Sequence, residues 1–156
     1  MRIPMLLALA LLALPCTAMA QSVNANVRLI RKDDVLAAFA KGMPLLEVED
    51  YKIHASRREG PGMAEIHTRD TDIAYVLEGS ATLVTGGTVV GLKPTGPEEL
   101  RGSAITGGET RQLQPGDVVV IPNGVPHWFK NVTAPFLYYV VKVKQADRQA
   151  AMGTMR

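Results

Sequence analysis

Cysteine is almost absent from this sequence. Cys16 is the single cysteine among 156 residues, and it lies in a leader-like stretch that we expect to be removed. The mature chain would then contain no cysteine, so disulfides cannot stabilise it and the fold must depend on a hydrophobic core. Residues 21–156 are enough for one domain and few for two.

An excess of charge of either sign is also missing. The chain has 17 Lys and Arg against 15 Asp and Glu, and the basic residues form no run. Domains that bind nucleic acid or anionic lipid usually carry a basic patch or stripe. We therefore expect no nucleic-acid partner.

Long apolar runs are limited to one, from Ile3 to Leu14. It follows the positive Arg2 and precedes Ala18-Met19-Ala20, which has the small-residue pattern of a signal-peptide cleavage site. The run is too short to span a membrane. Cys16 follows Leu14-Pro15 instead of the small residues of a lipid-modification site. We expect residues 1–20 to be a signal peptide, cleaved after Ala20, and the mature protein to be periplasmic or secreted, with no membrane attachment.

The residues after the leader predict one helix and then strands. Residues 33–41 (DDVLAAFAK) have helical spacing, with Asp33 as the predicted N-cap and Gly42 at the C-terminus. Residues 45–56 alternate as one or two strands, residues 134–144 are typical of a core strand, and residues 146–152 favour a helical turn. His54 shares strand parity with Asp50 and Lys52, which favours a solvated side chain, and a place in a substrate pocket is the alternative.

The most informative stretch is 116–131, GDVVVIPNGVPHWFKN. A β-branched run ends at Pro122, Asn123-Gly124 supplies a tight turn, and a second strand begins at His127. The pattern G-x5-P-x-G-x2-H-x3-N resembles the second motif of the cupin superfamily at every defining position. The resemblance implies a single antiparallel jelly-roll β-barrel with a short N-terminal helix, in which His127 is a metal ligand.

The first cupin motif is matched upstream, at about residues 60–79. Counting back from Gly79 places Asp72 at the carboxylate position and His67 at the second histidine position. Glu65 replaces the first histidine of the family pattern. Residues 65 and 67 are two apart, so both side chains would leave the same face of a strand.

This resemblance implies one divalent transition metal (Fe, Mn, Ni, Zn or Cu), held by His67, Asp72 and His127, with Glu65 as a further ligand or as a catalytic base. Without Glu65, the set is the 2-His-1-carboxylate triad of non-haem Fe(II) oxygenases. The alternative is a jelly roll that binds no metal. Three ionisable groups facing a barrel interior would be costly without an ion or another partner, which favours the metal.

Between the two motifs, residues 87–107 are expected to form an irregular excursion that covers the cavity. Its ends are glycines, and Pro94, Gly96 and Pro97 argue against a helix. Arg101 and Glu98-Glu99 are placed over the cavity mouth. Phe129 shares a strand face with His127 and is a candidate pocket wall, whereas Trp128 should point into sheet packing or a dimer contact.

Two functions agree with these features. The first is a metal-dependent enzyme acting on a small organic substrate, with dioxygenase-like chemistry ahead of isomerase or lyase chemistry. The second is a non-catalytic periplasmic protein that binds a metal or a small metabolite. In either case the partner is a small molecule, and a homodimer is compatible with the pattern. Fold alone does not decide between them.

Overall fold

The structure is a computed structural model that describes residues 27–145. The predicted leader and the predicted helical turn at 146–152 lie outside this range. Within it the chain forms one helix and eleven strands, which in chain order are α1 (Lys32–Lys41), β1 (Pro44–Glu47), β2 (Tyr51–Arg58), β3 (Ala64–His67), β4 (Asp70–Thr85), β5 (Thr88–Val90), β6 (Lys93–Gly96), β7 (Glu99–Gly102), β8 (Ala104–Thr106), β9 (Glu109–Leu113), β10 (Val118–Ile121) and β11 (His127–Lys144).

Two long strands, β4 and β11, form the centre of the fold. They pair antiparallel from His127↔Thr85 to Lys144↔Asp70, with bulges that include one between Thr133 and Leu137. The main sheet has the order β1-β2-β11-β3-β7-β6, β4 also pairs with β9 and β10, and all pairs are antiparallel. Together they form an all-β jelly-roll barrel with one short N-terminal helix, which confirms the fold predicted from the sequence.

The barrel has an apolar half and a polar half. Alternate residues of β4 and β11 point inward and form the core with residues of β9 and β10. Its buried members are Ala74, Val76, Ala81, Leu83, Leu113, Ile121, Phe129, Phe136, Tyr138 and Val140. Beyond Ala74 and Val140 the same two inward faces continue to Asp72 and Lys142, which are cross-strand partners. The apolar core therefore forms the floor of a polar cavity.

The helix α1 packs on the outside of the barrel. Ala38 and Phe39 are buried against β2 and β11, and the Phe39 ring meets the Tyr139 ring edge-on at 4.8 Å. Gly42 ends the helix in the left-handed conformation (φ 66°) and donates its N–H to the Ala38 carbonyl, as predicted. The predicted cap at Asp33 is wrong. The helix begins earlier, and its N-cap residue Arg31 makes no side-chain capping bond. No helix within residues 27–145 is long and apolar enough to cross a membrane.

The segment between the motifs is more regular than the sequence indicated. Residues 87–107 contain four short strands, β5 to β8, instead of an irregular excursion. Strand β7 pairs with β3 along its full length, from Ala64↔Gly102 to His67↔Glu99. Ile105 of β8 is buried in a small cluster with Ala64 and Val84. Strands β6 and β7 are thus part of the sheet that holds the candidate site, whereas β5 and β8 pair with each other in a separate two-stranded sheet.

Candidate metal centre

Three candidate ligands come together where β3 meets the start of β11. Glu65 and His67 project from the same face of β3, and His127 is the register partner of Glu65. Both histidines are buried, with exposed fractions of 9% for His67 and 3% for His127. The tight turn before β11 therefore directs His127 to the inside of the barrel, as predicted.

The ligand atoms of this trio, Glu65, His67 and His127, lie within 4.8 Å of one another. Glu65 Oε2 is 3.7 Å from His67 Nε2 and 4.0 Å from His127 Nε2. Two imidazoles and one carboxylate are donors of borderline softness, which suit divalent first-row metals. These three residues therefore fit a metal site.

His127 is oriented by the turn that precedes it. Its Nδ1 lies 3.1 Å from the Val125 carbonyl oxygen, to which Nδ1–H can donate, and this leaves the lone pair of Nε2 facing Glu65. Burial lowers the pKa of His127 below its ordinary value, and the neighbouring His67 lowers it further. Because a metal binds the neutral ring, both effects keep His127 competent as a ligand.

Asp72, the fourth residue predicted to bind the metal, is in contact with a lysine. Lys142 Nζ lies 2.8 Å from Asp72 Oδ1 and 2.7 Å from Oδ2. Burial alone would raise the pKa of Asp72, but the adjacent His67 and the Lys142 ammonium outweigh it and hold the pKa of this carboxyl below its usual range. Asp72 Oδ2 is also 3.5 Å from His67 Nε2, so it borders the trio. Its role as a ligand stays a prediction.

Lys142 also contacts the trio directly. Its Nζ lies 2.8 Å from His67 Nε2, a hydrogen-bond distance, and the ammonium can only donate. The ring tautomer that accepts this bond has its lone pair on Nε2, the atom that a metal would bind. Sequence reasoning missed Lys142, although it lies on the same strand face as Tyr138 and Val140.

The two oxygens of Glu65 face different groups. Oε2 faces the histidines, whereas Oε1 lies 3.9 Å from Arg58 Nη2 and 3.6 Å from Arg101 Nη1. The Glu65 side chain is only 12% exposed. Glu65 is thus held between two guanidinium groups and two imidazoles, with Oε2 placed beside both histidine nitrogens. This position favours a ligand over a free base.

The trio opens into a cavity of about 310 Å³. All three residues predicted as pocket candidates line it, namely His54, Arg101 and Phe129. Charged and polar groups form most of the rest of its wall, and they include Glu47, Lys52, Ser56, Arg58, Asp70, Asp72, Glu99, Tyr138 and Lys142. The volume is at the lower end of the range for small-molecule sites.

His54 lies in the cavity wall, so the prediction of a solvated side chain is wrong. The prediction that it shares a strand face with Lys52 is correct. Lys52, His54, Ser56 and Arg58 share one face of β2, and that face lines the cavity. His54 Nε2 lies 3.4 Å from Glu47 Oε1, and burial lowers the pKa of His54. Polar residues at alternate positions usually indicate a face that meets solvent. Here the same pattern lines the interior, because the barrel is polar around the cavity.

Arg58 and Tyr138 are further cavity residues that the sequence did not reveal. Arg58 Nε donates to the Tyr138 hydroxyl at 3.0 Å, and the guanidinium carbon lies 4.5 Å from the centre of the Phe129 ring. Such stacking of a cation on an aromatic face holds the guanidinium in place. Phe129 therefore serves as a cavity wall, as predicted, and also as a support for Arg58.

The remaining predicted residues divide between the cavity and the outside. Arg101 Nε donates to Glu99 Oε1 at 2.8 Å, and both side chains line the cavity. Glu98 instead lies 3.2 Å from Lys144 Nζ. Trp128 points away from the cavity, as predicted, and its Nε1–H donates to the Gly62 carbonyl at 2.8 Å.

Several solved structures align with this chain at low sequence identity. BH2720 from Bacillus halodurans aligns with a TM-score of 0.54 at 13% identity, covering 80% of this chain and 86% of that one. KdgF from Halomonas sp. aligns with a TM-score of 0.48 at 17% identity (69% and 82% covered). Protein NMB1881 from Neisseria meningitidis aligns with a TM-score of 0.48 at 13% identity (75% and 100% covered). At 13% identity, the alignment with BH2720 shows a shared fold alone.

Comparison of the sequence with curated proteins finds no significant match. The family model described as "Cupin" matches residues 52–155, which include both motifs, the trio and most of the cavity wall. The jelly-roll barrel agrees with that match. This chain belongs to the cupin family.

Proposed function

We propose that this protein is a metal-dependent enzyme acting on a small organic substrate, with the metal held by Glu65, His67 and His127. The observation that carries the proposal is the convergence of these three buried ligands at the wall of a polar cavity. Two histidines and one carboxylate leave coordination positions open, and this is the ligand set of non-haem Fe(II) oxygenases. Dioxygenase-like chemistry is therefore placed ahead of isomerase or lyase chemistry.

A divalent ion at this site would supply Lewis acidity toward a bound oxygen atom. The chain itself would supply orientation and protons. Arg58 and Arg101 present guanidinium groups beside Glu65, and the Lys142 ammonium lies beside His67. Several cationic donors near the trio suit a substrate that carries oxygen acceptors.

The charge at the trio supports an enzyme over a protein that only binds the metal. One carboxylate and two neutral imidazoles leave a divalent ion with a net positive charge, which preserves its Lewis acidity. Ligation by both Glu65 and Asp72 would remove that charge and favour a protein that only binds metal. The contact between Asp72 and Lys142 supports the first arrangement. A non-catalytic protein that binds a metal or a small metabolite is the second candidate.

The metal site is tested by metal analysis of purified protein variants. We expect one equivalent of divalent metal in the unmodified protein and its loss from His67→Ala and His127→Ala. His54→Ala is the matched control, because His54 lines the same cavity outside the trio and its removal should leave the metal in place. Equal metal content in all three folded variants would contradict the proposal.

Enzyme and binding protein are separated by turnover. Fe(II)-loaded protein is assayed for O2 consumption with small oxygen-rich organic acids and sugars, with the His127→Ala protein as the blank. Metal-dependent consumption supports the oxygenase proposal. A metal-loaded protein that binds these compounds without converting them, under O2 or without it, would favour the binding-protein function. In Glu65→Gln, loss of metal identifies a ligand, whereas retained metal with lost turnover identifies a base, with an expected effect of about 10²–10⁴-fold.

The proposed site of action is outside the cytoplasm, since residues 1–20 have the pattern of a cleaved leader. Mass spectrometry of protein from the exported fraction of a bacterial host should give a mature chain that begins at Gln21. A chain that retains Met1, or a lipid on Cys16, would contradict export by this route.

A further inference from the structure

We propose that Lys142 sets the number of protein ligands at the metal site by holding Asp72 out of the coordination shell. The bound ion would then have three protein ligands, and Asp72 would form the salt bridge beside it. This inference rests on the proposed metal-dependent function and concerns the same site. It assigns a role to a residue that neither cupin motif contains.

All three N–H donors of the Lys142 ammonium have an acceptor in this structure. Two are the oxygens of Asp72, at 2.8 and 2.7 Å, and the third is His67 Nε2, at 2.8 Å. A metal that binds His67 through Nε2 takes away one acceptor and leaves the two Asp72 oxygens to the ammonium. The salt bridge to Asp72 can therefore persist when the metal is bound.

The backbone fixes this pairing. Lys142 of β11 and Asp72 of β4 are direct cross-strand partners with side chains on the inner face, so their separation is set by the sheet. Lys142 is 17% exposed and Asp72 is 11% exposed, which limits screening by solvent. The other lysine of this cavity wall, Lys52, lies 3.8 Å from Asp70 and leaves Asp72 to Lys142.

The consequence for the metal is a balance between affinity and reactivity. A fourth ligand from Asp72 would strengthen binding, but it would occupy an open position and cancel the remaining positive charge. A nearby ammonium also repels a divalent cation. Lys142 therefore lowers metal affinity and keeps the ion exposed to substrate, and this combination distinguishes a catalytic site from a storage site.

The test replaces Lys142 by Met, which preserves length and removes the charge. Lys142→Met should bind Co(II) about 10–100-fold more tightly than the unmodified protein, the range typical of changes next to metal ligands. The visible absorption of bound Co(II) should weaken as coordination number rises. Lys52→Met is the matched control on the adjacent strand, with no expected change in either measurement.

Two further variants test whether the effect passes through Asp72. Asp72→Asn in the unmodified background should keep Co(II) affinity within about threefold, since Asp72 is not a ligand there. Adding Asp72→Asn to Lys142→Met should cancel most of the gain. If Lys142→Met does not stay folded, judged by circular dichroism, Lys142→Gln replaces it, with a gain of the same sign expected.

Unchanged or weaker affinity in a folded Lys142 variant would overturn the inference. So would a loss of metal in Asp72→Asn as complete as that in His127→Ala. Failure of the proposed function looks different, because the unmodified protein would then bind no Co(II) at all. Co(II) binding by Lys142→Met but not by the unmodified protein would support the exclusion of Asp72 by Lys142 while overturning the proposed metal-dependent function.

Discussion

Replacing Gly79 by Ala should destabilise the barrel more than the same change at Gly86, a glycine of similar conformation with free space around it. Gly79 lies within β4 at φ +76°, opposite the bulge of β11. A Cβ atom added there would be 2.5 Å from the Pro135 carbonyl oxygen and 2.7 Å from the Thr133 carbonyl oxygen. These neighbours are backbone atoms of a paired strand, so neither can move away cheaply.

The magnitude has two parts. A left-handed conformation costs a non-glycine residue about 1–2 kcal/mol, and the lower entropy of the unfolded chain offsets about 0.4–1 kcal/mol of it. The close contacts add an overpacking cost of about 1–3 kcal/mol. Gly86 is the matched control, because its φ is +72° and an added Cβ would have no neighbour within 4 Å. Gly86→Ala should therefore cost about 1 kcal/mol and Gly79→Ala roughly 2–4 kcal/mol.

Thermal unfolding followed by circular dichroism measures the difference. For a domain of this size, 1 kcal/mol corresponds to roughly 4 °C in Tm. Gly86→Ala should lower Tm by about 4 °C and Gly79→Ala by about 8–16 °C. Urea unfolding gives the free energies directly. Equal losses at the two positions would refute the reasoning, because the close approach of the β11 backbone would then contribute nothing.

Three further predictions concern pH, metal removal and the segment between the motifs. Burial raises the pKa of Tyr138, so the folded chain keeps the phenolic proton to higher pH than the unfolded chain does, and the free energy of unfolding should fall as pH rises from about 10 toward the folded pKa. Urea titrations at several alkaline pH values should show that Tyr138→Phe flattens this fall, whereas Tyr75→Phe, at an exposed position, does not. If the metal binds only the folded protein, metal at 100 times its Kd adds about 2.7 kcal/mol, so a chelator should lower the Tm of the loaded protein and leave that of His127→Ala unchanged. Deletion of residues 87–107 should lower Tm and metal content together, because it removes the β7 strand that pairs with β3 and takes Ile105 out of its buried cluster. An unchanged Tm would show that the segment only covers the cavity and is not needed for the stability of the barrel.

The sequence predicted the barrel and the inward positions of His67 and His127 because these depend on local patterns. The turn chemistry of Pro122 and Asn123-Gly124 fixes where β11 begins, and this places His127 inside. Spacing of two residues places His67 beside Glu65. Gly42 was identified as the helix end because glycine suits the left-handed cap, whereas the start at Arg31 has no side-chain capping bond to announce it.

The inward face of β2 could not be predicted from its polarity. Lys52, His54, Ser56 and Arg58 alternate as the polar face of a strand, and a polar face usually meets solvent. In this barrel the same face encloses a cavity, where charged groups are paired with one another, as in the 3.8 Å contact between Lys52 and Asp70. Alternation reports which residues share a face and leaves open what that face meets.

Lys142 shows the same limit more sharply, because both faces of its strand are apolar in sequence. Phe136, Tyr138 and Val140 alternate with Leu137, Tyr139 and Val141, so composition alone does not reveal which set is inside. The packing of the folded chain decides which set is inside. Helix α1 covers the face with Leu137 and Tyr139, whereas the other face forms the core and ends at Lys142, the cross-strand partner of Asp72. A buried lysine needs a partner. Once the register of β4 and β11 is fixed, that partner is Asp72, the carboxylate of the first motif.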